Sequence, residues 1–274
     1  MGVSITLAIA VATADGIVVA ADSRTTAAPP NQNPRVLSDF THKVFGAGQC
    51  AIATYGYAFL LGRNVAGHMA GFVASLEDTA LATKDMADRV SVFFGGLLDQ
   101  HYDQGLDQRP EPGSDVLGFL VGGYEGGTGS IYDVSLPSRS VTLITPNGSG
   151  AAWRGQTDVL TRVLFGTDLA LAEALIDEGE RVELMAKLKP LADQMLYIIP
   201  FDGMNLQDAV DFASFAIRTT IDVQRLTHGV VGRPGSWPGV GGPIEIAAVT
   251  PTSGFRWVQQ TTLQGERSAG VAEI

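Results

Sequence analysis

Residues 3–12 (VSITLAIAVA) and 17–22 (IVVAAD) are nearly unbroken apolar runs rich in Val and Ile, separated by Thr13-Ala14-Asp15-Gly16. Asp-Gly is a hairpin turn signal, so the pattern predicts two antiparallel strands. The scarcity of polar alternation predicts a sheet covered on both faces. Residues 26–39 carry Pro and Asn and read as a loop. A second strand pair follows at 42–46 and 50–55, split by Ala47-Gly48-Gln49. From Ala58 to Leu76, apolar residues at 60, 61, 65, 69, 72 and 73 have helical spacing, and a second helix is expected over about Thr83–Gln104. Three strands are then predicted at Val116–Gly122, Gly129–Val134 and Val141–Thr145. Helical patterns dominate 151–225, with Asn205 as an N-cap for the last helix. A Gly/Pro-rich loop (229–243) leads to strands Ile244–Thr250 and Phe255–Gln259, and a small, polar tail begins at Gln264. Strands and helices thus come in blocks. That order predicts an α+β fold, two antiparallel sheets between helical layers in a four-layer αββα sandwich. A single domain is expected over 1–264, with a helical insertion at 165–204 and a flexible tail at 265–274.

Composition narrows the function. The 274 residues carry 18 Lys+Arg against 29 Asp+Glu, a net charge of −11. A chain this acidic lacks the basic surface that phosphate neutralisation requires, so nucleic acid and anionic lipid are not expected partners. The single cysteine, Cys50, excludes a disulfide framework within the chain and reads as core. His42, His68, His101 and His228 are scattered, so neither a metal nor an organic cofactor is expected. The first apolar run lacks a basic flank and is cut short at Asp15-Gly16, so it reads as a strand, not as a leader or span. A cytoplasmic protein without a membrane segment is the expectation. Glycines 122, 123, 126, 127 and 129 lack phosphate-loop spacing and read as a hairpin.

Three segments suggest chemistry. An apolar strand ends abruptly in Asp22-Ser23-Arg24; Lys43 opens a later strand; and Asn147-Gly148-Ser149-Gly150 is a tight turn. A hydroxyl at neutral pH is a poor nucleophile and needs a base. A free α-amino group on the same residue can serve, with a pKa near 8. A lysine beside it lowers the proton affinity of the amine and the hydroxyl, and an aspartate holds that lysine charged and oriented. Each residue also has a plainer reading: Asp22 capping a strand end, Lys43 on a sheet edge, Ser149 as a helix N-cap, Thr6 and Ser4 as ordinary strand residues.

The segment GIVVAADSRTT resembles the G-[IV]-V-[LIV]-A-x-D-S-R-x-T motif of the proteasome β-subunit family of N-terminal-nucleophile hydrolases, in particular its bacterial proteasome-like members. HKVFGAGQCAIATYG, SDVLGFLVGGYE, NGSGAAWRGQTDVL and VGGPIEIAAVT support the resemblance by order and spacing over roughly residues 4–265. The resemblance implies a threonine nucleophile, which the family spacing places at Thr6, with Ser4 as the alternative. It gives Asp22 and Lys43 their roles in activating that hydroxyl and Ser149 a role in proton transfer. Gly56 is implied as the N–H that stabilises the oxyanion, or as a glycine required by backbone conformation, and Arg24 as a structural support. The sequence departs from the family pattern in two places. Ile5, not Gly, precedes Thr6, and Gln224 stands near a family aspartate with Asp222 two residues earlier.

The implied activity is a self-assembling threonine peptidase in stacked rings. Its substrate would be unfolded polypeptide or peptides, and an ATP-dependent unfoldase is a possible partner. The alternative is a catalytically inactive ring or filament subunit with a structural role; a third reading is a small-molecule amidase on the same fold.

Overall fold

The Thr13–Gly16 turn closes as its sequence demands. Thr13 N donates to the Gly16 carbonyl at 2.9 Å, and Asp15 N donates to Thr13 Oγ1. The computed structural model describes residues 3–4, 6–27, 35–77, 80–166, 178–230, 233–234 and 238–262. The expected tail at 265–274, and 167–177 of the expected insertion, lie outside the described residues.

In chain order the elements are β1 (Val3–Ser4), β2 (Leu7–Ala12), β3 (Ile17–Asp22), β4 (Thr25–Ala27), β5 (Arg35–Ser38), β6 (Val44–Ala47), β7 (Cys50–Tyr57), β8 (Phe59–Leu60), β9 (Arg63–Asn64), α1 (Val65–Ala74), α2 (Thr83–Asp103), β10 (Leu117–Glu125), β11 (Thr128–Leu136), β12 (Ser140–Leu143), β13 (Gly150–Gly155), α3 (Asp158–Phe165), α4 (Glu178–Asp193), α5 (Leu206–Leu226), β14 (Gly229–Val230), β15 (Arg233–Pro234), β16 (Ile244–Thr250) and β17 (Gly254–Gln259). One sheet runs β1-β7-β10-β11-β12, with β6 also on β7; the other runs β13-β2-β3-β16-β17. Their pairings are antiparallel, which makes this an α+β fold.

The period-2 geometry of a strand explains why the first runs are apolar on both faces. In β2, Leu7, Ile9 and Val11 join a cluster with Leu160 and Leu164 of α3 and Ala213 and Ile217 of α5. Ala8, Ala10 and Ala12 face the other way, against Ala51 and Ala53 of β7 and Leu120 of β10. A third cluster sets Ile52 and Phe119 against Met69 of α1 and Phe94 of α2.

Three departures from the sequence pattern have local causes. The run 3–12 is not one strand: β1 pairs with β7, while β2 pairs with β3 and β13 in the other sheet. The helix expected from Ala58 begins at Val65. Leu61 and Gly62 have positive φ and turn the β8–β9 hairpin, and Asn64 then caps α1 by accepting from Gly67 N at 2.7 Å. Residues 150–155 are a strand, because the free edge of β2 takes them as a partner. The Asn205 cap is present as a full capping box with Asp208.

Candidate active site

Thr6 stands immediately before β2, and Asp22 ends β3. Leu7 pairs with Gly155 while Ala8 pairs with Ala21, so the start of one strand and the end of the next lie side by side. Lys43 precedes β6 in the opposite sheet and reaches across. Its ammonium donates to Thr6 Oγ1 at 2.8 Å, to Asp22 Oδ1 and Oδ2 at 3.2 Å each, and to the Arg24 carbonyl. Thr6, Asp22 and Lys43 are all buried.

Burial sets the electrostatics of this group. Desolvation pushes the Lys43 ammonium below the ordinary lysine value, opposed by the Asp22 charge. Desolvation likewise raises the Asp22 carboxyl. Lys43 and the N–H groups of Gly241, Arg24 and Leu7 oppose that shift. The Asp22 hydrogen bonds are 3.0 Å from Gly241 N, 3.0 Å from Arg24 N and 3.1 Å from Leu7 N. A carboxylate so supplied can orient the lysine without moving.

Arg24 lies beside this group. Its guanidinium grips Asp39 at 2.6 and 3.1 Å and reaches the Pro238 carbonyl, holding the 238–241 loop over Asp22. Gln224 of α5 secures the same loop by accepting from Val240 N at 3.0 Å. Asp222 is instead paired with Arg225 at the surface. Gly56 lines the cleft beside Thr6 with φ 90°, and a Cβ there would lie 2.2 Å from the Val116 carbonyl. Only glycine fits that backbone.

Of the two candidate alcohols, Lys43 reaches that of Thr6, while Ser4 sits on β1 opposite Gly56. Ser149 is not brought to the site. It precedes Gly150, which pairs with Ala12 at the far end of β13. Six residues of strand separate that end from Thr6, roughly 20 Å. The turn beside Thr6 is Gly155-Gln156, where Gln156 N donates to the Thr6 carbonyl at 2.7 Å. Gly155 has φ 90°, and a Cβ on it would lie 1.8 Å from the Thr6 carbonyl oxygen. Both turns contain Gly and a small or polar residue ahead of α3. Only the strand between them, invisible in the local pattern, tells them apart.

Sequence reasoning also missed His42 and Glu245. Glu245 is fully buried on β16 and accepts from Lys43 N at 3.0 Å and Val44 N at 3.3 Å through Oε2. Its Oε1 lies 2.5 Å from His42 Nδ1. The one signal was a carboxylate inside the apolar strand IEIAAVT. Among the described residues no three His, Cys, Asp or Glu side chains are placed to hold a metal ion, and no helix is long and apolar enough to cross a membrane.

No protein-family model matches the chain, and no curated protein matches it. Among solved structures it is similar to a chain of the helical assembly of the Anbu complex from Pseudomonas aeruginosa. The two share 17% identity at a TM-score of 0.51, over 93% of this chain and 88% of that one. The likeness is one of fold. Membership of the proteasome β-subunit family, suggested by the short motifs, is therefore corrected. The matching stretches are short, and no family model recognises them in this chain.

Proposed function

We propose that the chain is a threonine-type peptidase with Thr6 as nucleophile. The observation that carries this reading is a buried lysine within hydrogen-bond reach of both the Thr6 hydroxyl and the Asp22 carboxylate. In the reading, Lys43 in its neutral form accepts the Thr6 Oγ1 proton as that oxygen attacks a peptide carbonyl. Desolvation favours the neutral form. The Gly56 N–H stabilises the resulting oxyanion. The C–N bond then breaks, and the amine leaves with the proton carried by Lys43. Water next attacks the Thr6 ester, giving it one proton back and releasing the carboxylic acid. The stacking of the three apolar clusters into four layers, αββα, within one domain over 1–264 belongs to the same proposal. The core layer is what brings Lys43 from one sheet to Thr6 on the other.

The N-terminal segment gives the reading a further consequence. β1 pairs along the edge of β7 at Gly56 and Tyr57 and packs beside β4. It occupies an edge that an extended peptide could otherwise join by strand addition. Cleavage of the Ile5–Thr6 bond clears that edge and frees the Thr6 amine. Gln156, whose N–H already binds the Thr6 carbonyl, has a buried Oε1 with no partner among the described residues. Intact mass tests this cleavage: a species starting at Thr6 is expected, and the Thr6→Ala variant is expected to keep its leading residues. A wild-type chain that retains Val3–Ile5 and cleaves no peptide sinks the peptidase reading.

A second reading is a structural subunit that assembles without turnover. The Thr6 nitrogen lies within a peptide bond to Ile5, and the side chain is 1% exposed, which favours that reading until cleavage is observed. In both readings the chain self-associates, as the Anbu complex does in its helical assembly.

A further inference from the structure

His42 is the one imidazole at the cleft, and its surroundings are built. Glu245 behind it is fully buried, and it accepts two backbone N–H groups besides His42 Nδ1. A buried carboxylate needs donors on both of its oxygens. Lys43 Nζ is committed to Asp22, Thr6 and the Arg24 carbonyl. The imidazole is the side chain that faces Glu245. With Nδ1–H donating to Glu245, Nε2 is the ring's free edge, and in the protonated ring it is a second donor. The side chain is 38% exposed, so that edge is open to solvent or ligand.

What His42 opens onto is the place where a substrate side chain must go. The cleft around Thr6 retains a cavity of about 20 Å³, room for about one water. It continues outward into a pocket of about 360 Å³, walled in part by Leu37, Phe40 and Phe59. Thr25, Thr41 and His42 line both spaces. Among the described residues no carboxylate lines either one. Asp22 and Glu245 stand behind Lys43 and His42, so the cleft presents hydroxyls and nitrogen donors while the negative charge is kept in the protein interior.

We infer that His42, held by buried Glu245, selects an acidic side chain on the residue whose carbonyl Thr6 attacks. The inference rests on the peptidase reading and narrows its substrates to peptides with Asp or Glu at that position. Nε2–H of His42 and the hydroxyl of Thr41, which itself accepts from Thr25 Oγ1 at 2.8 Å, receive the carboxylate, and Glu245 is a positioning residue that acts through the imidazole. The titratable groups around His42 are Glu245 from β16, Lys43 beside it in the chain, and the cleft-lining Tyr55 and Tyr57 of β7. Burial holds both phenols protonated through the working range.

The test has two independent arms. In the first, kcat/KM is measured at about pH 6 for peptides differing only in Glu or Gln before the scissile bond. An acid-over-amide ratio of about tenfold is expected, the worth of one charge-assisted hydrogen bond. The ratio should fall to near one in His42→Phe and return in His42→Arg. A ratio that His42→Phe leaves unchanged overturns the inference. In the second arm, the wild-type protein is titrated with fluorescent peptides ending in Glu or Gln, which carry no bond beyond that residue to cleave, and tighter binding of the acidic one is expected. Equal affinities overturn the inference even where Thr6-dependent turnover is seen. Acid-selective binding, lost in His42→Phe, without any Thr6-dependent turnover overturns the peptidase reading and leaves the selectivity of the cleft standing.

Discussion

Lys43 is the residue on which the proposed chemistry turns, because its ammonium donates to the Thr6 hydroxyl at 2.8 Å. A base must be able to lose its proton, and a guanidinium cannot do so in this pH range. Lys43→Arg is therefore expected to cut kcat/KM by about 100-fold or more, the lower range of what general base catalysis contributes. The pH profile carries a second sign. Burial lowers the folded-state value of Lys43 from 10.5, so activity should rise with pH and level off below that value. Stability follows the same direction. Between the folded value and 10.5 the unfolded chain holds a proton that folded Lys43 has released. Unfolding free energy therefore gains from this group as pH rises through that window, and loses as pH falls. Urea melts of wild type and Lys43→Met across alkaline pH check it; curves that stay parallel would show that Lys43 keeps its ordinary titration.

At the scale of elements, β13 makes the site possible by fixing the start of β2. Its last residue, Gly155, sits against the Thr6 carbonyl, and the next N–H holds that carbonyl at 2.7 Å. Gly155→Ala would place a methyl where the Thr6 oxygen now lies, on a backbone with φ 90°. The expected cost is at least about 2 kcal/mol of stability, with loss of turnover because Thr6 must shift. A variant with wild-type melting and turnover would mean that the turn yields more easily than its geometry indicates. Ser149→Ala is the contrasting change, since that residue lies at the other end of the strand. The sequence pattern marked both glycine turns but could not order them. A stretch such as GAAWRG has no period of its own, and the open edge of β2 decides its conformation.

For the whole molecule, the feature of consequence is the small-residue face between the sheets. Ala8, Ala10, Ala12, Ala21, Ala51, Ala53 and Ala247 are all fully buried there. Short side chains let the sheets come close, and closeness lets a lysine from one sheet reach a threonine on the other. The fold shared with the Anbu chain, and that complex's helical assembly, motivate the expectation that this chain self-associates. Sedimentation of the purified protein should show species several times 28.8 kDa that persist in moderate salt. A single 28.8 kDa species at micromolar concentration would remove assembly from the proposal.

The strands of the central apolar runs, the Asp-Gly hairpin, the Asn205 cap and the candidacy of Asp22 and Lys43 were legible because they depend on neighbours in the chain: apolar period, turn residues, a charge ending an apolar run; the strands at 35–38 and 150–155 were not. Tertiary structure alone decided that Thr6 meets Lys43, that Ser149 stays away, that Val3–Ser4 leaves β2 for the other sheet, and that Glu245 faces His42. Those facts depend on which strand edge and which sheet face come together, and residues some two hundred positions apart carry no local trace of that pairing.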